Sequence, residues 1–217
     1  MGNNTKQVPF SKALVNEVSC KNEITPFYIY DEKAIRENIR DFISAFSWVT
    51  DFKEYFAVKA CPNPHILKIL KEEGCGADCS STTELKLASS VGIEEKNLMF
   101  TSNNTPIIDF INAKDIGAII NFDDISHIDF FQSNVGNLPE LVCCRYNPGN
   151  LKEKDVIRDK PEESKCGMTK EQLFEAYSKL KNSGVTRFGL HTMVVSNELN
   201  PMCFVDTAKM LFELVIE

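Results

Sequence analysis

Long apolar runs and an excess of positive charge are both missing from this sequence of 217 residues. No stretch approaches the roughly 20 consecutive apolar residues that cross a bilayer, and the polar residues 1–6 lead into no signal-peptide core. Lys and Arg together number 24 against 31 Asp and Glu, which gives a formal net charge of −7. Since phosphate binding needs a basic face, we expect no nucleic-acid partner. The lack of a long apolar stretch likewise leads us to expect no membrane partner.

Metal-ligand spacing is also lacking, although the chain has eight cysteines. Cys75 and Cys79 are four positions apart, but no second pair of Cys or His residues has zinc-ligand spacing. Most of the cysteines lie inside apolar runs, Cys143 and Cys144 side by side in one of them, and a chain of this length has no need of disulfides. The sequence therefore predicts a reduced, cytoplasmic protein without a metal site.

Six short runs rich in β-branched and aromatic residues alternate with longer helical patterns, and these runs are the predicted strands. The first five begin about 21 or 22 residues apart, which is the length of one strand, one short helix and two tight loops. The runs are apolar throughout rather than alternating, which indicates a parallel sheet covered by helices. The predicted strands start near Glu54, Cys75, Asn97, Ala118, Glu140 and Arg187.

Helix starts are marked by capping residues. Thr105 and Asn200 each precede a proline, which suits the first turn of a helix. Thr169 and Gln172 fit a capping box, in which the two side chains bond to each other's backbone N–H groups. Apolar stripes at helical spacing occur within residues 35–46 and 173–180.

Evenly paced β/α units favour a (β/α)8 TIM-type barrel over a doubly wound sheet. No glycine-rich dinucleotide or phosphate loop follows the first strand, which weakens the doubly wound alternative. A complete barrel takes about 250 residues, whereas this chain offers about six units. An open six-stranded sheet would expose two edges, so we interpret the sequence as the N-terminal portion of a longer protein.

Lys59 is the first candidate for chemistry, because it ends an apolar strand where another apolar residue is expected. Burial there would lower the pKa of its ammonium group, and a partly neutral lysine can form a Schiff base with an aldehyde. The alternative is a structural lysine whose stem packs on the strand while its charge reaches the barrel mouth.

Polar residues end three further predicted strands. Asp78 and Glu84 bring carboxyl groups to the same barrel mouth, although Glu84 also fits a helix cap and Asp78 could simply pair with Lys59. Arg145 could hold a carboxylate or a phosphate, or form a structural ion pair. At the end of the sixth strand, His191 is a candidate acid, base or ring-stacking partner, and Ser196 a candidate phosphate ligand.

Five blocks containing these residues occur in an order that resembles one family. The blocks are similar to those of the amino-acid decarboxylases that use pyridoxal 5′-phosphate (PLP) and fold as an alanine-racemase-type barrel. The similarity is greatest to the members that act on diaminopimelate, and it extends from about Pro26 to the chain end. The blocks are residues 55–60 (YFAVKA), 76–81 (GADCSS) with Glu84, 145–148 (RYNP), 164–167 (SKCG) and 189–191 (GLH) with Ser196.

The resemblance implies a role for each candidate residue. Lys59 would hold PLP through a Schiff base and pass it to the substrate amine. Asp78 and Glu84 would order that linkage, Arg145 would anchor the polar wall of the pocket, and Ser196 would bind the cofactor phosphate. The implied reaction is decarboxylation of meso-diaminopimelate to L-lysine and CO2. The implied substrate is therefore a small amino acid, and the implied assembly is a homodimer.

The resemblance also implies a domain division and exposes one departure. Residues 1–25 would be an N-terminal extension and residues 26–217 a partial PLP-binding barrel, without the family's β-rich C-terminal domain. The family's second histidine, which stacks on the cofactor ring, is replaced by Met193. Either the thioether packs on the ring, or His191 takes over that role.

Three alternatives remain open from the sequence. The first is a sister decarboxylase that acts on ornithine, arginine or carboxynorspermidine. The second is a barrel that carries PLP without catalysis, and the third an enzyme in which Lys59 reacts with a carbonyl substrate directly. Because the family's glycine-rich phosphate loop and the acid at the pyridine nitrogen are absent, we expect these 217 residues alone to be inactive.

Overall fold

The computed structural model describes residues 8–22, 26–149, 166–195 and 198–217. The chain divides into two compact units, Met1–Phe52 and Lys53–Glu217. The first unit contains helices α1 (Lys12–Asn22) and α2 (Glu32–Ala45). Asp31 caps α2, since its side chain accepts from the backbone N–H of Ala34 at 3.1 Å. The predicted domain boundary after residue 25 stays a prediction.

The described part of the second unit is built on six parallel strands that pair in chain order, β1 to β6. This confirms the parallel sheet with intervening helices, and each strand begins within one residue of its predicted start. Pairing in sequence order is the arrangement that the predicted (β/α) barrel requires, although six strands alone do not close one. The strands are β1 (Tyr55–Ala57), β2 (Gly76–Cys79), β3 (Leu98–Ser102), β4 (Ile119–Phe122), β5 (Leu141–Tyr146) and β6 (Arg187–Thr192).

Within the described ranges, six α-helices accompany these strands, and two of the three predicted cap signals are confirmed. Asn200 caps α8, and Thr169 forms a capping box with Gln172 at the start of α7. No helix in the described part of the chain is long and apolar enough to cross a membrane. The helices are α3 (Pro64–Glu72), α4 (Thr82–Ser90), α5 (Ile107–Asp115), α6 (Ser126–Asn134), α7 (Lys170–Asn182) and α8 (Pro201–Ile216).

The prediction that Thr105 caps a helix is wrong. The cap position of α5 is Pro106, which offers no side-chain hydrogen bond. Thr105 is buried and donates its hydroxyl to the carbonyl of Ser102 at 3.1 Å. The hydroxyl therefore closes the turn after β3 instead of capping α5, and the helix begins one residue later than the Thr-Pro pair predicts.

One face of the sheet is apolar and packs against the helices. Phe110 of α5 lies edge-on to Phe100 of β3 and Phe122 of β4, with ring centroids 6.1 and 5.8 Å apart. Phe131 of α6 joins this cluster, and all four rings are at most 1% exposed. Burying one such ring stabilises the fold by about 1.5–3 kcal/mol. This packing fixes the strands from the helix side.

The opposite face of the same strands carries the polar side chains. Side chains alternate along a strand, and residues paired across parallel strands point to the same face. Asp123 lies just beyond β4, and its carboxylate pairs with Arg145 on this face. Lys59 follows β1 in a 3-10 turn, where the alternation of a strand no longer applies. The pairs on this face are Ala57 with Asp78, Thr101 with Asn121, and Arg145 with His191.

Candidate functional site

A polar cavity of about 410 Å³ lies where these strands end. The carboxyl ends of parallel strands meet at one edge of a sheet, and this is the edge at which barrel enzymes place their active sites. Four of the six candidate site residues line it, as does Met193, so the fold brings them together. The described lining consists of Lys59, Asp78, Ser80, Thr101, Ser102, Asn103, Arg145, Cys166, His191 and Met193.

Lys59 stands at the edge of this cavity and is exposed, which fits the interpretation in which its charge reaches the mouth of the sheet and not the one in which its ammonium group is buried. Strand β1 stops at Ala57 and continues as a 3-10 turn, Val58–Ala60. The turn buries Val58 completely and leaves Lys59 open to the cavity. The early end of the strand is what delivers an amine to the mouth of the sheet.

Asp78 lies on β2 and is half-buried in the cavity wall. Its Oδ1 accepts a hydrogen bond from Thr101 Oγ1 at 3.2 Å. Burial raises the pKa of the Asp78 carboxyl to about 6, against the lowering effects of the Thr101 hydroxyl and of the Lys59 and Arg145 charges. Asp78 is therefore a carboxyl group that changes protonation close to neutral pH.

Glu84 acts at the start of α4, and the described lining of the cavity does not include it. Its carboxylate accepts from the backbone N–H and the hydroxyl of Ser80, both at 2.8 Å, while Ser81 accepts from its N–H at 3.3 Å. These bonds support the capping interpretation. Glu84 still reaches the site electrostatically, since its negative charge contributes to the raised pKa of Asp78.

Arg145 projects from β5 and forms an ion pair that sequence reasoning left open. Its Nη1 lies 2.8 Å from Oδ1 of Asp123, which follows β4 and is 2% exposed. The second carboxylate oxygen of Asp123 accepts from the backbone N–H of Gly167 at 3.2 Å. Asp123 thus orients the guanidinium group and also holds the segment beyond β5.

That segment, residues 166–168, closes one side of the cavity. Met168 forms a parallel bridge with Tyr146, and its N–H donates to the Arg145 carbonyl at 2.8 Å. Gly167 has φ +84°, and a Cβ there would lie 3.0 Å from the Cβ of Asn147. Only glycine fits such a close approach in this conformation without strain. The backbone is thereby folded to bring Cys166 into the lining.

His191 and Met193 lie at the end of β6 and both line the cavity. Burial and the nearby charges of Arg145 and Lys59 lower the pKa of His191 to about 4, so its imidazole is neutral at pH 7. Its Nδ1 is buried and has no hydrogen-bond partner among the described residues. Ser196 lies outside the described residues.

Three residues of this face were missed from the sequence: Thr101, Asn121 and Asp123. Asn121 and Asp123 are 1% and 2% exposed, and they are two positions apart in an otherwise apolar run. That spacing, read with the period of two of a strand, was the signal that could have found them. Among the described residues, no group of three or more His, Cys, Asp or Glu side chains is placed to hold a metal ion.

The donor set fits a small anionic cofactor that carries an aldehyde. Lys59 offers a primary amine, which adds to aldehydes, and Arg145, paired with Asp123, brings a guanidinium group to the lining of the cavity. The unpartnered Nδ1 of His191 leaves a hydrogen-bonding position open. These features match PLP and define a class, the pyridoxal-binding enzymes built on parallel β/α units.

Comparison with known proteins identifies the family. The family model described as "Pyridoxal-dependent decarboxylase, pyridoxal binding domain" matches residues 32–217. The chain therefore belongs to the pyridoxal-dependent decarboxylases and carries their pyridoxal-binding domain.

Individual relatives agree with this assignment. Protein TabA of Pseudomonas amygdali pv. tabaci is 39% identical over 176 residues, which cover 81% of this chain and 41% of that protein. A diaminopimelate decarboxylase of Methanothermobacter thermautotrophicus is 31% identical over 193 residues, covering 88% of this chain and 45% of that protein. The chain thus spans less than half the length of these relatives.

Solved structures show the same fold. The diaminopimelate decarboxylase of Helicobacter pylori complexed with L-lysine superposes with a TM-score of 0.80 at 22% identity, covering 92% of this chain and 52% of that one. That of M. jannaschii in co-complex with L-lysine gives 0.76 at 25% identity, covering 88% and 46%.

Proposed function

We propose that this chain is the pyridoxal-binding part of an enzyme that decarboxylates meso-diaminopimelate to L-lysine and CO2. The observation that carries the proposal is the convergence of Lys59, Asp78, Arg145 and His191 on one cavity of a pyridoxal-binding domain. In this reaction a carboxylate leaves one α-carbon as CO2, and a proton takes its place. PLP, when bound, accepts the electrons left on that carbon.

Each residue of the site has a task that its surroundings support. Lys59, exposed at the cavity edge, would hold the cofactor through its aldehyde group. Asp78, which lines the same cavity, holds or releases a proton near neutral pH, and the charge of Glu84 on α4 raises its pKa. Arg145, fixed by Asp123, supplies positive charge to the pocket wall.

The last strand and the segment after it complete the pocket in this proposal. The neutral His191 packs or bonds at the cofactor ring, with Met193 beside it in the lining. Ser196, which lies outside the described residues, would bind the cofactor phosphate. The whole protein acts on a small amino acid and works as a homodimer in the cytoplasm.

Diaminopimelate is the substrate that the relatives favour. Several diaminopimelate decarboxylases match at about 30% identity over four fifths or more of this chain. A lysine/ornithine decarboxylase of Vibrio vulnificus and an arginine decarboxylase of a Chlorella virus share the fold at 20% identity. TabA, at 39% identity, does not specify a substrate through its name. The sister substrates therefore stay the second candidates.

Cofactor attachment is tested by incubating the chain with PLP, reducing it with borohydride and mapping the pyridoxyl group by mass spectrometry. We expect the group on Lys59 and its loss in Lys59→Ala. The matched control is Lys68→Ala, because Lys68 is also exposed but lies on α3 outside the cavity lining. Label spread evenly over surface lysines would overturn the assignment of Lys59.

Substrate choice is tested on the same reaction by protection. An amine that occupies the site competes with Lys59 for the cofactor, so it lowers pyridoxyl labelling of Lys59 after excess PLP is removed. We expect meso-diaminopimelate to protect at lower concentration than L-ornithine, L-arginine or the control amine L-alanine. Stronger protection by ornithine or arginine would favour a sister decarboxylase.

Turnover is a separate expectation. Because the chain spans less than half of its relatives, we propose that its 217 residues release no CO2 from meso-diaminopimelate above the level of Lys59→Ala. CO2 released above that level would show that these residues suffice for catalysis.

A further inference from the structure

We propose that Thr101 and Asn121 are positioning residues that act through Asp78. The side chains of Asn121 and Thr101 and the carboxyl group of Asp78 form one series of hydrogen bonds across three neighbouring strands, called the Asp78 hydrogen-bond series below. The role of the Asp78 hydrogen-bond series rests on the proposed function, since Asp78 shares its cavity with Lys59, the proposed PLP-binding residue. The geometry of the series does not depend on that function.

The bonds run in one direction, from the buried interior toward the cavity. Asn121 Nδ2 on β4 donates to Thr101 Oγ1 on β3 at 3.2 Å. Thr101 Oγ1 donates to Asp78 Oδ1 on β2, also at 3.2 Å. An ionised carboxylate only accepts, and a hydroxyl has a single proton to give. Thr101 must therefore accept from Asn121 while it donates to Asp78, which fixes the orientation of the amide.

Packing alone does not explain Asn121. The residue is 1% exposed, and its Oδ1 is buried without a hydrogen-bond partner among the described residues. A buried amide oxygen without a partner destabilises the folded state, and a leucine of similar size would avoid that cost. What Asn121 contributes is therefore its amide N–H group, which donates to Thr101 in the Asp78 hydrogen-bond series.

The Thr101 bond opposes the strongest influence on Asp78. Burial raises the pKa of this carboxyl, and the Thr101 hydrogen bond is the leading effect that lowers it again. The other groups that face Asp78 are Lys59 beyond β1 and Arg145 on β5, which lower its pKa, and Glu84 on α4, which raises it. With Oδ1 held, the carboxyl group keeps one orientation in the cavity it shares with Lys59.

The test measures the pKa of Asp78 by 13C NMR of its carboxyl carbon in the cofactor-free chain, with Asp78→Asn to assign the signal. Thr101→Val keeps the shape but removes the hydroxyl, so the pKa should rise by roughly half a unit or more. Thr101→Ser restores the hydroxyl and should return the wild-type value. Asn121→Leu should raise the pKa less, since it acts only through Thr101.

A double variant distinguishes an effect of Asn121 that passes through Thr101 from independent effects of the two residues on the pKa of Asp78. If Asn121 works only through Thr101, then Thr101→Val with Asn121→Leu should give the pKa of Thr101→Val alone. Shifts that add, or a Thr101→Val pKa equal to wild type, would overturn the proposal. The contrast between Val and Ser at position 101 decides the matter even if Asn121→Leu does not fold.

A second measurement separates this proposal from the function on which its purpose rests. The pH dependence of pyridoxyl labelling at Lys59 should shift upward in Thr101→Val and not in Thr101→Ser. If Lys59 is labelled in none of the proteins, the proposed function fails, while the NMR pKa values still decide whether Thr101 and Asn121 position Asp78. If labelling occurs with an unshifted pH profile, Thr101 and Asn121 have no role toward the cofactor.

Discussion

Arg145 and Asp123 face each other across neighbouring strands, with Nη1 of the arginine 2.8 Å from Oδ1 of the aspartate. The carboxylate is 2% exposed and the guanidinium side chain 15% exposed, so water screens this pair little. Oδ2 of Asp123 also accepts from the N–H of Gly167. One buried carboxylate therefore links β4, β5 and the segment that closes the cavity.

Removal of the Asp123 charge should destabilise the chain. Asp123→Asn keeps the shape but leaves the Arg145 charge largely buried without its partner, and we expect the free energy of unfolding to fall by about 2–4 kcal/mol. Urea denaturation measures it. The matched control is Asp129→Asn, because Asp129 pairs with Lys179 while 65% exposed and should cost less than about 1 kcal/mol. Equal losses in the two variants would contradict the importance of burial.

Asp78 should make the chain less stable as the pH rises. Its pKa is about 6 in the folded chain against an ordinary value of 3.8, so its stabilising contribution is fully present below pH 3.8 and lost as the pH passes 6. Asp78→Asn removes that loss. The variant should gain about 2–3 kcal/mol relative to wild type between pH 4 and pH 7, measured by urea denaturation at each pH. A difference that does not change with pH would contradict the raised pKa.

His191 should act in the opposite direction. Its pKa is about 4 in the folded chain against an ordinary value of 6.5, so its stabilising contribution is present above pH 6.5 and lost as the pH falls to 4. His191→Asn should therefore gain stability relative to wild type on acidification, by about 2–3 kcal/mol over that range. The same denaturation series tests it, with His65→Asn as the control because His65 is exposed on α3. In wild type, the changes in unfolding free energy that Asp78 and His191 cause between pH 4 and pH 6 have opposite signs and largely cancel.

Gly189 and Cys143 should show coupled effects. A Cβ at Gly189 would lie 2.3 Å from Cys143 Sγ on the neighbouring strand, so Gly189→Ala should cost about 1–3 kcal/mol through overpacking. Cys143→Ala removes the sulfur, and the double variant should be more stable than the sum of the two single effects. Cys144→Ala is the control, since Cys144 points to the other face of β5. Equal coupling with both cysteines would contradict the contact.

The periodic parts of the fold could be predicted because each depends on nearby residues. The β-branched and aromatic runs placed all six strand starts, and the first five are also evenly spaced. The Asn200 and Thr169 caps were found because their partners lie two and three residues away. Thr105 failed for a related reason. A threonine before a helix can also bond backward, and the sequence does not show that its hydroxyl takes the carbonyl of Ser102.

The polar contacts of the site depend on distant residues, which the sequence order does not reveal. Thr101 lies 23 positions from Asp78, and Arg145 lies 22 positions from Asp123. Only the register of the sheet brings these pairs together. Lys59 could be found as an anomaly in its strand, but its exposure depends on the turn that ends β1 after three residues.

The alternation of side chains along β4 decides which residues face the site, so a shift by one residue would exchange the two faces of the strand. Asn121 and Asp123 face the polar cavity side, and Phe122 between them packs among the helices. One residue inserted before Asn121 would turn Phe122 toward the polar side and both polar groups toward the Phe110 cluster. The loops between the strands carry no such alternation. A residue inserted into a loop would leave this alternation, and with it the direction of the site's side chains, unchanged.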